Sequence, residues 1–185
     1  MRLYLVRHPQ PLVDVKRCYG ATDLAPAPMA LESVLSNLLI SLPQGLPVIS
    51  SPLQRCAQLA QALATRRTCS LQYDARLVEM NFGTWEMQTW DQIARPEIDA
   101  WADDVVNYRV GGGESVLQMA QRVAGFYADV RLLAQDQIVI CHAGSIRLLM
   151  ACQQGLGLQE AAEYAAQQSR TVAYGEVLCL DMQSG

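Results

Sequence analysis

Residues 2–11 read RLYLVRHPQP. An apolar, β-prone run stops at Arg7-His8 and is followed by two prolines separated by one glutamine. Proline lacks the amide donor that a strand needs to continue, and it disfavours helical conformation in the residue before it. The stretch predicts a strand over residues 2–7 that ends on a cation and an imidazole, with Pro9 keeping His8 extended. Such an ending is either an ordinary strand stop or a point where reactive side chains are delivered to a site.

The rest of the chain repeats the strand-then-helix pattern. After a polar loop (residues 9–28), residues from about Met29 to Leu42 place Leu31, Val34, Leu35, Leu38 and Leu39 at helical spacing. LPVISS (46–51) reads as a short buried strand, and SPLQRCAQLAQALA as a helix with Ser51 at its N-cap and Pro52 at the first helical position. SLQYD (70–74) is a weaker strand, and the aromatic RLVEMNFGTWEMQTW after it a structured loop with short helices near 89–94 and 97–105. Ser115 with Gln118 forms a capping box for a helix over about 115–134, with an apolar stripe from Val116 through Val130. QIVICH (137–142) is a strand of the kind covered on both faces, Gly144 turns the chain, and 145–155 form another helix. RTVAYGEVLCLDM closes the chain as one or two strands around Gly175. Alternating strands and helices predict an α/β sandwich on a mostly parallel sheet, a fold that gathers ligands at the carboxyl ends of its strands.

Composition sets the frame for that site. The 185 residues suit a single domain spanning 1–185, with 51% apolar and 17% charged residues and no low-complexity tract. A net charge of −4 offers no general attraction to nucleic acid or anionic membrane, so phosphate chemistry must rest on local arginines and a small partner. The six cysteines form no C-x-x-C pair and read as reduced core residues; a zinc site built on Cys141 and His142 lacks any recognised spacing. Neither a signal-peptide core nor a membrane-length apolar run is present, which makes the cytoplasm the expected location.

Three apolar strands finish on anion-binding or reactive residues: LYLV on Arg7-His8, PVIS on Ser51-Pro52 with Arg55 just beyond, and IVIC on His142. Both histidines of the chain lie at such ends. Single histidines often sit hydrogen-bonded at strand ends, but here one has an arginine beside it and a helix start lies near each. That set fits phosphoryl transfer through histidine. A neutral imidazole is a competent nucleophile near pH 7, guanidinium groups supply paired donors to phosphate oxygens, and helix N-termini add backbone N–H groups. The leaving oxygen needs a proton, for which Glu79 is a candidate in a loop with Phe82, Gly83 and Trp85; a solvated loop glutamate is the alternative.

With these residues in place, the chain resembles the histidine phosphatase superfamily, the phosphoglycerate-mutase-like proteins. LVRHP is similar to the nucleophile motif, SSPLQRCAQLAQAL to the segment with a phosphate-binding arginine, and LVEMNFGTWEM to the one carrying the acid. GGES with Arg122-Val123 is similar to a helix entry, and HAGSIR to the second-histidine motif, all in the family's order from residue 2 to about 150. The resemblance implies that His8 is phosphorylated, that Arg7, Arg55 and His142 hold the phosphoryl group, and that Glu79 donates the proton. It also implies a three-layer α/β/α domain and no metal or other cofactor. Three departures stand out. Pro9 replaces the usual glycine, DLAPAPMALESV departs from the usual entry to the first helix, and residues 9–20 lack an evident polar phosphate contact, leaving Gln10, Lys16 and Arg17 as candidates.

Within the family, the short chain favours a phosphatase over a mutase, and RHPQP, RCYGATD and EMNFGTWE most resemble the α-ribazole phosphatase branch. The expected substrate is a small phosphorylated metabolite such as α-ribazole 5'-phosphate; the oligomeric state, homo-oligomer included, is left open. Tyr19, Phe82 and Trp85, with Trp90 and Tyr108, are candidates for an aromatic wall against a base-like leaving group, with core packing as the alternative. For Trp101 core packing is the better expectation. YRVGGGES lacks the features of a phosphate loop and reads as a glycine-rich helix entry. Two other classes remain as alternatives: an inactive relative that binds phosphorylated ligands or a protein, and a cysteine hydrolase using Cys141 or Cys18 with His142. The second is disfavoured for Cys141, because adjacent strand residues point to opposite faces.

Overall fold

The computed structural model describes residues 1–168 and 171–182. Its five strands are β1 (Arg2–Arg7), β2 (Val48–Ser50), β3 (Leu71–Tyr73), β4 (Gln137–Cys141) and β5 (Val177–Asp181), in the sheet order β3-β2-β4-β1-β5. All neighbours run parallel except β5, which pairs antiparallel with β1. The closing segment thus contributes one strand among the described residues.

Period-2 alternation sends successive side chains to opposite faces and builds two cores. Leu3, Leu5, Ile49, Val139 and Cys141 pack on one side with helices α4 (Val116–Leu132), α5 (Ala143–Gln153) and α6 (Leu158–Gln167). Val6, Val48, Ile138 and Ile140 pack on the other with α1 (Pro28–Ser41) and α2 (Gln54–Arg67). The result is an α/β/α sandwich on a mostly parallel sheet. Every residue of β4, the central strand, is buried. The apolar stripe of α4 is buried from Met119 to Val130, and Ser115 closes the expected capping box with Gln118.

Several expectations need correction. Ser51 does not cap α2: the helix starts at Gln54 with Leu53 as the N-cap, and Pro52 lies before it. Its first amide is met instead by Asp23, whose Oδ1 accepts from Gln54 N at 2.7 Å. Residues 89–94 form turns rather than a helix, and the helix expected over 97–105 is α3 (Arg95–Asp103), with Pro96 in its first turn. Gly144 does not turn the chain; α5 already runs from Ala143, with His142 as its N-cap. Helix α6 was absent from the periodicity because its buried positions are the alanines Ala161, Ala162 and Ala165. All six cysteines are free, but only Cys18, Cys56 and Cys141 are buried; Cys69 and Cys152 are half-buried and Cys179 is exposed.

Register is what brings the site together. Arg7 pairs with Cys141 and Ser50 with Ile140, so the residues just past β1, β2 and β4 emerge side by side. Backbone hydrogen bonds carry the ladder one step further: His8 N donates to Cys141 O at 3.0 Å, and Ser51 N to Ile140 O at 2.9 Å.

Candidate active site

His8, at the end of β1, is only 2% exposed. Its Nδ1 lies 2.7 Å from the carbonyl oxygen of Pro9. A carbonyl only accepts, so Nδ1 carries the proton, and in the neutral ring the lone pair is on Nε2. Among the described residues no group hydrogen-bonds to Nε2. Burial, with the charge of Arg55 and to a smaller degree Arg7, pushes the imidazole down to about 3, against the opposing pull of the Pro9 carbonyl. His8 is therefore neutral at ordinary pH.

His142 stands beside it, ring centroids 5.0 Å apart at 60°. Its Nε2 is 2.9 Å from Ser51 Oγ, which explains why the serine that looks like a helix cap is occupied elsewhere. Burial and the neighbouring His8, Arg55, Arg122 and Arg7 hold this imidazole well below its ordinary value. The Cys56 thiol lies 3.5 Å from Nε2 of His142. Burial pushes the thiols of Cys18, Cys56 and Cys141 upward, which makes them poor nucleophiles.

Two guanidinium groups complete the cage. Arg55, on the first turn of α2, is fully buried; its Nη1 donates to Thr22 O at 2.7 Å and its Nη2 to Gly20 O. Arg7 donates through Nη1 to Val172 O and lies 4.0 Å from the ring centroid of Tyr174. Among the described residues, the Nε atoms of both arginines are buried and find no hydrogen-bond partner. A buried and a half-buried cation, each with an unpaired Nε, beside a neutral imidazole make a setting that favours an anion. The Tyr174 ring also lies against His8, centroids 5.5 Å apart and tilted by 48°, and its hydroxyl is 2.8 Å from that of Tyr19.

Glu79 sits at the N-terminus of α5. Its Oε2 accepts from Gly144 N at 3.0 Å and its Oε1 from Met80 N at 3.1 Å. Beside it lies an open cavity of about 530 Å³ that includes Arg109 and Arg122. Arg122 is already occupied, by Glu114 and by the carbonyls of Arg76 and Val78.

Of the other candidates, Tyr19 and Phe82 are brought next to Glu79, lining a second, mainly apolar cavity. Trp85 is not: it is 1% exposed, its Nε1 donates to Glu97 Oε2 at 2.6 Å, and its ring packs edge-on against Trp101. Trp90 is 42% exposed and bonds by its backbone to Lys16, and Tyr108 packs against the core. Gln10 is exposed, and its carbonyl accepts from Ala27. Arg17 donates to Met87 O, away from the cage, and Lys16 is exposed. Trp101, expected in the core, packs against it and also lines the apolar cavity.

Glu86 is the group that sequence reasoning missed. Its carboxylate accepts from the amides of Gly20, Ala21, Thr22 and Phe82 and from the Thr22 hydroxyl. It folds the 20–22 loop whose carbonyls hold Arg55. A carboxylate directly after an aromatic pair inside a short loop was the available signal.

Comparison with known proteins shows the family. Residues 3–173 match the family model of the histidine phosphatase superfamily, branch 1. The chain belongs to that superfamily. It is 29% identical over 161 residues to the adenosylcobalamin/alpha-ribazole phosphatase of Escherichia coli K12, covering 82% of this chain and 78% of the relative. The crystal structure of the alpha-ribazole phosphatase from Shigella flexneri superposes with a TM-score of 0.81 at 25% identity, over 98% of this chain and 90% of that one. A mycobacterial glucosyl-3-phosphoglycerate phosphatase gives 0.75 at 25% identity, over 88% and 83%. As a superfamily member, the chain is a phosphoric monoester hydrolase of the histidine type. No helix among the described residues is long and apolar enough to cross a membrane, and no group of three or more His, Cys, Asp or Glu among them could hold a metal ion.

Proposed function

We propose that this chain hydrolyses a small phosphomonoester through a phosphohistidine on His8. The observation that carries the proposal is the neutral His8 ring, with its proton fixed on Nδ1 by the Pro9 carbonyl and its Nε2 lone pair left in a cage of Arg7, Arg55 and His142. Nε2 attacks phosphorus and forms the N–P bond as the bond to the alcohol oxygen breaks. Glu79, in its acid form, passes a proton to the departing oxygen. Water then attacks the phosphohistidine, Glu79 takes a proton from it, the N–P bond breaks, and phosphate leaves with His8 restored. Arg7 and Arg55 neutralise the charge on the phosphoryl oxygens, with His142 beside them.

The relatives and the aromatic side chains near Glu79 favour α-ribazole 5'-phosphate as the substrate. The expected phosphoenzyme is acid-labile and alkali-stable, and it is lost in His8→Ala. An alkali-labile adduct, or turnover that survives His8→Ala, refutes the mechanism. A panel of α-ribazole phosphate, 3-phosphoglycerate, sugar phosphates and nucleotides, compared by kcat/KM, tests the substrate. Isomerisation of 3-phosphoglycerate without net phosphate release would make the chain a mutase, and no turnover of any ester would make it a binding relative. Expected activity is also insensitive to chelators and to mild thiol alkylation.

A further inference from the structure

The apolar cavity that Glu79 and Tyr19 share is lined by none of Arg7, His8, Arg55 and His142. It has a volume of about 360 Å³, within the range of about 300–1,000 Å³ typical of small-molecule sites. Four helices and the acid loop wall it. Phe82 follows Glu79 in the loop, Trp101 comes from α3, Met119 from α4, Leu148 from α5 and Ala166 from α6. Trp101 is braced edge-on by the buried Trp85, so that wall is stiff. The cavity reaches the reacting end of the molecule through Glu79 and Tyr19, which both line it, while Tyr19 also pairs with the tyrosine against His8. An alcohol whose oxygen receives a proton from Glu79 has this chamber directly beside it.

We infer that this chamber is the leaving-group subsite, and that it selects phosphomonoesters of alcohols that carry a flat, apolar ring. The inference rests on the phosphatase reading given above and adds the chemical class of the group released. The aromatic or sulfur-bearing side chains Tyr19, Met80, Phe82, Trp101 and Met119 suit a ring and offer little to the hydroxyls and carboxylate of a glycerate. Only Arg147 among the chamber's lining residues carries a positive charge, and Glu79 carries the acidic group.

The test compares 2-phenylethyl phosphate with propyl phosphate on the full chain. Both release primary alcohols of similar basicity, so the chemical step is matched and the ring alone differs. Burying a phenyl ring at about 25 cal/mol per Å² predicts a preference of roughly tenfold or more in kcat/KM for the phenylethyl ester. Ala166→Phe places a ring inside the chamber from the α6 wall, and the ratio of the two kcat/KM values is expected to fall at least fivefold. As a check that needs no variant, 2-phenylethanol should inhibit propyl phosphate hydrolysis at concentrations at least tenfold below those of 1-propanol. Hydrolysis of both esters with equal kcat/KM, or equal inhibition by the two alcohols, overturns the chamber and leaves the phosphatase intact. A folded Ala166→Phe protein that keeps the full preference also overturns it. Hydrolysis of neither ester overturns the phosphatase reading itself.

Discussion

Glu86→Gln isolates the support beneath the phosphate cage without touching the cage. In the native carboxylate, Oε2 accepts from Gly20 N at 3.0 Å, from Thr22 N at 3.2 Å and from the Thr22 hydroxyl, while Oε1 accepts from Ala21 N at 2.9 Å and Phe82 N at 3.0 Å. Glutamine has one carbonyl oxygen, so in either orientation its NH₂ faces at least two amide donors. An unsatisfied buried donor costs about 1–3 kcal/mol, so the expected loss of stability is about 2–6 kcal/mol. The loop cannot easily find another path, since a Cβ at Gly20 would lie 1.9 Å from Met80 O: the backbones there are already in close approach. Loosening residues 20–22 frees the carbonyls that hold Arg55, and misplacing such a group by about 1 Å is worth on the order of 10²-fold in rate. Urea unfolding followed by tryptophan fluorescence, with kcat/KM on p-nitrophenyl phosphate under native conditions, measures both effects.

The pH dependence provides a second check on the same residue. Burial acts to raise the Glu86 carboxyl, but the hydrogen bonds from Thr22, Gly20, Phe82 and Ala21 outweigh it and hold it below its ordinary 4.5. A carboxyl lowered in the folded state contributes stability that is present above its unfolded value and lost as pH falls through the folded one. The stability gap between wild type and Glu86→Gln should therefore narrow below about pH 4.5. A variant within about 0.5 kcal/mol of wild type, the scatter of an ordinary surface substitution, and with kcat/KM within twofold would refute the chain from Glu86 to Arg55.

Three further outcomes are expected. Gly144→Ala puts a Cβ 2.3 Å from Glu79 Oε1 while gaining up to about 1 kcal/mol of helix propensity, so kcat/KM on alkyl phosphates should fall tenfold or more without loss of stability. The fall should be smaller on p-nitrophenyl phosphate, whose leaving group needs little protonation, and equal losses would give Glu79 a structural role. Because His8 is held at about 3 against 6.5 unfolded, unfolded chains bind protons that the native ring refuses, and at pH 5 this group alone costs about 2 kcal/mol of stability. Titration of unfolding free energy from pH 7 to 5 should show that decline, and a flat profile would mean His8 is protonated in the fold. Pro9→Gly keeps the carbonyl that orients His8 and is expected to retain most activity, measured as kcat/KM; a loss above tenfold would assign the aiming of His8 to the proline ring.

The strand ends were legible because they follow from rules that act locally. β1 and β4 are apolar runs ended by a polar residue, and parallel register places their ends together whatever the helices do. Arg7, His8, Arg55 and His142 could be assembled from that alone, and Ser51 was seen at the same edge. Its role was misassigned because a serine before a proline has the pattern of a helix cap, and only the tertiary position of His142 shows which partner its hydroxyl meets. Trp85 was misplaced for a related reason: aromatic residues in a glycine-containing loop look alike in sequence whether they face a ligand or a core. What separates Phe82 from Trp85 is the hydrogen bond from the indole to Glu97 across the chain, which draws one inward and leaves the other beside Glu79.

The elements that escaped the sequence share a physical character. Helix α6 buries alanines, Glu86 satisfies backbone donors, and Tyr174 lies against His8 from the segment just before β5, which pairs with β1. None of these carries a periodic apolar signal, because each works by filling a position that other elements define. Arg7, His8 and His142 stand at the ends of β1 and β4, where sequence and register specify them. The parts that line the chamber beside Glu79 include α3, α6 and the loop carrying Tyr19, which take their positions from packing. Substrate selectivity in this fold therefore sits where the sequence pattern is weakest, and changing α3 or α6 should alter what is hydrolysed while the His8 cage stays the same.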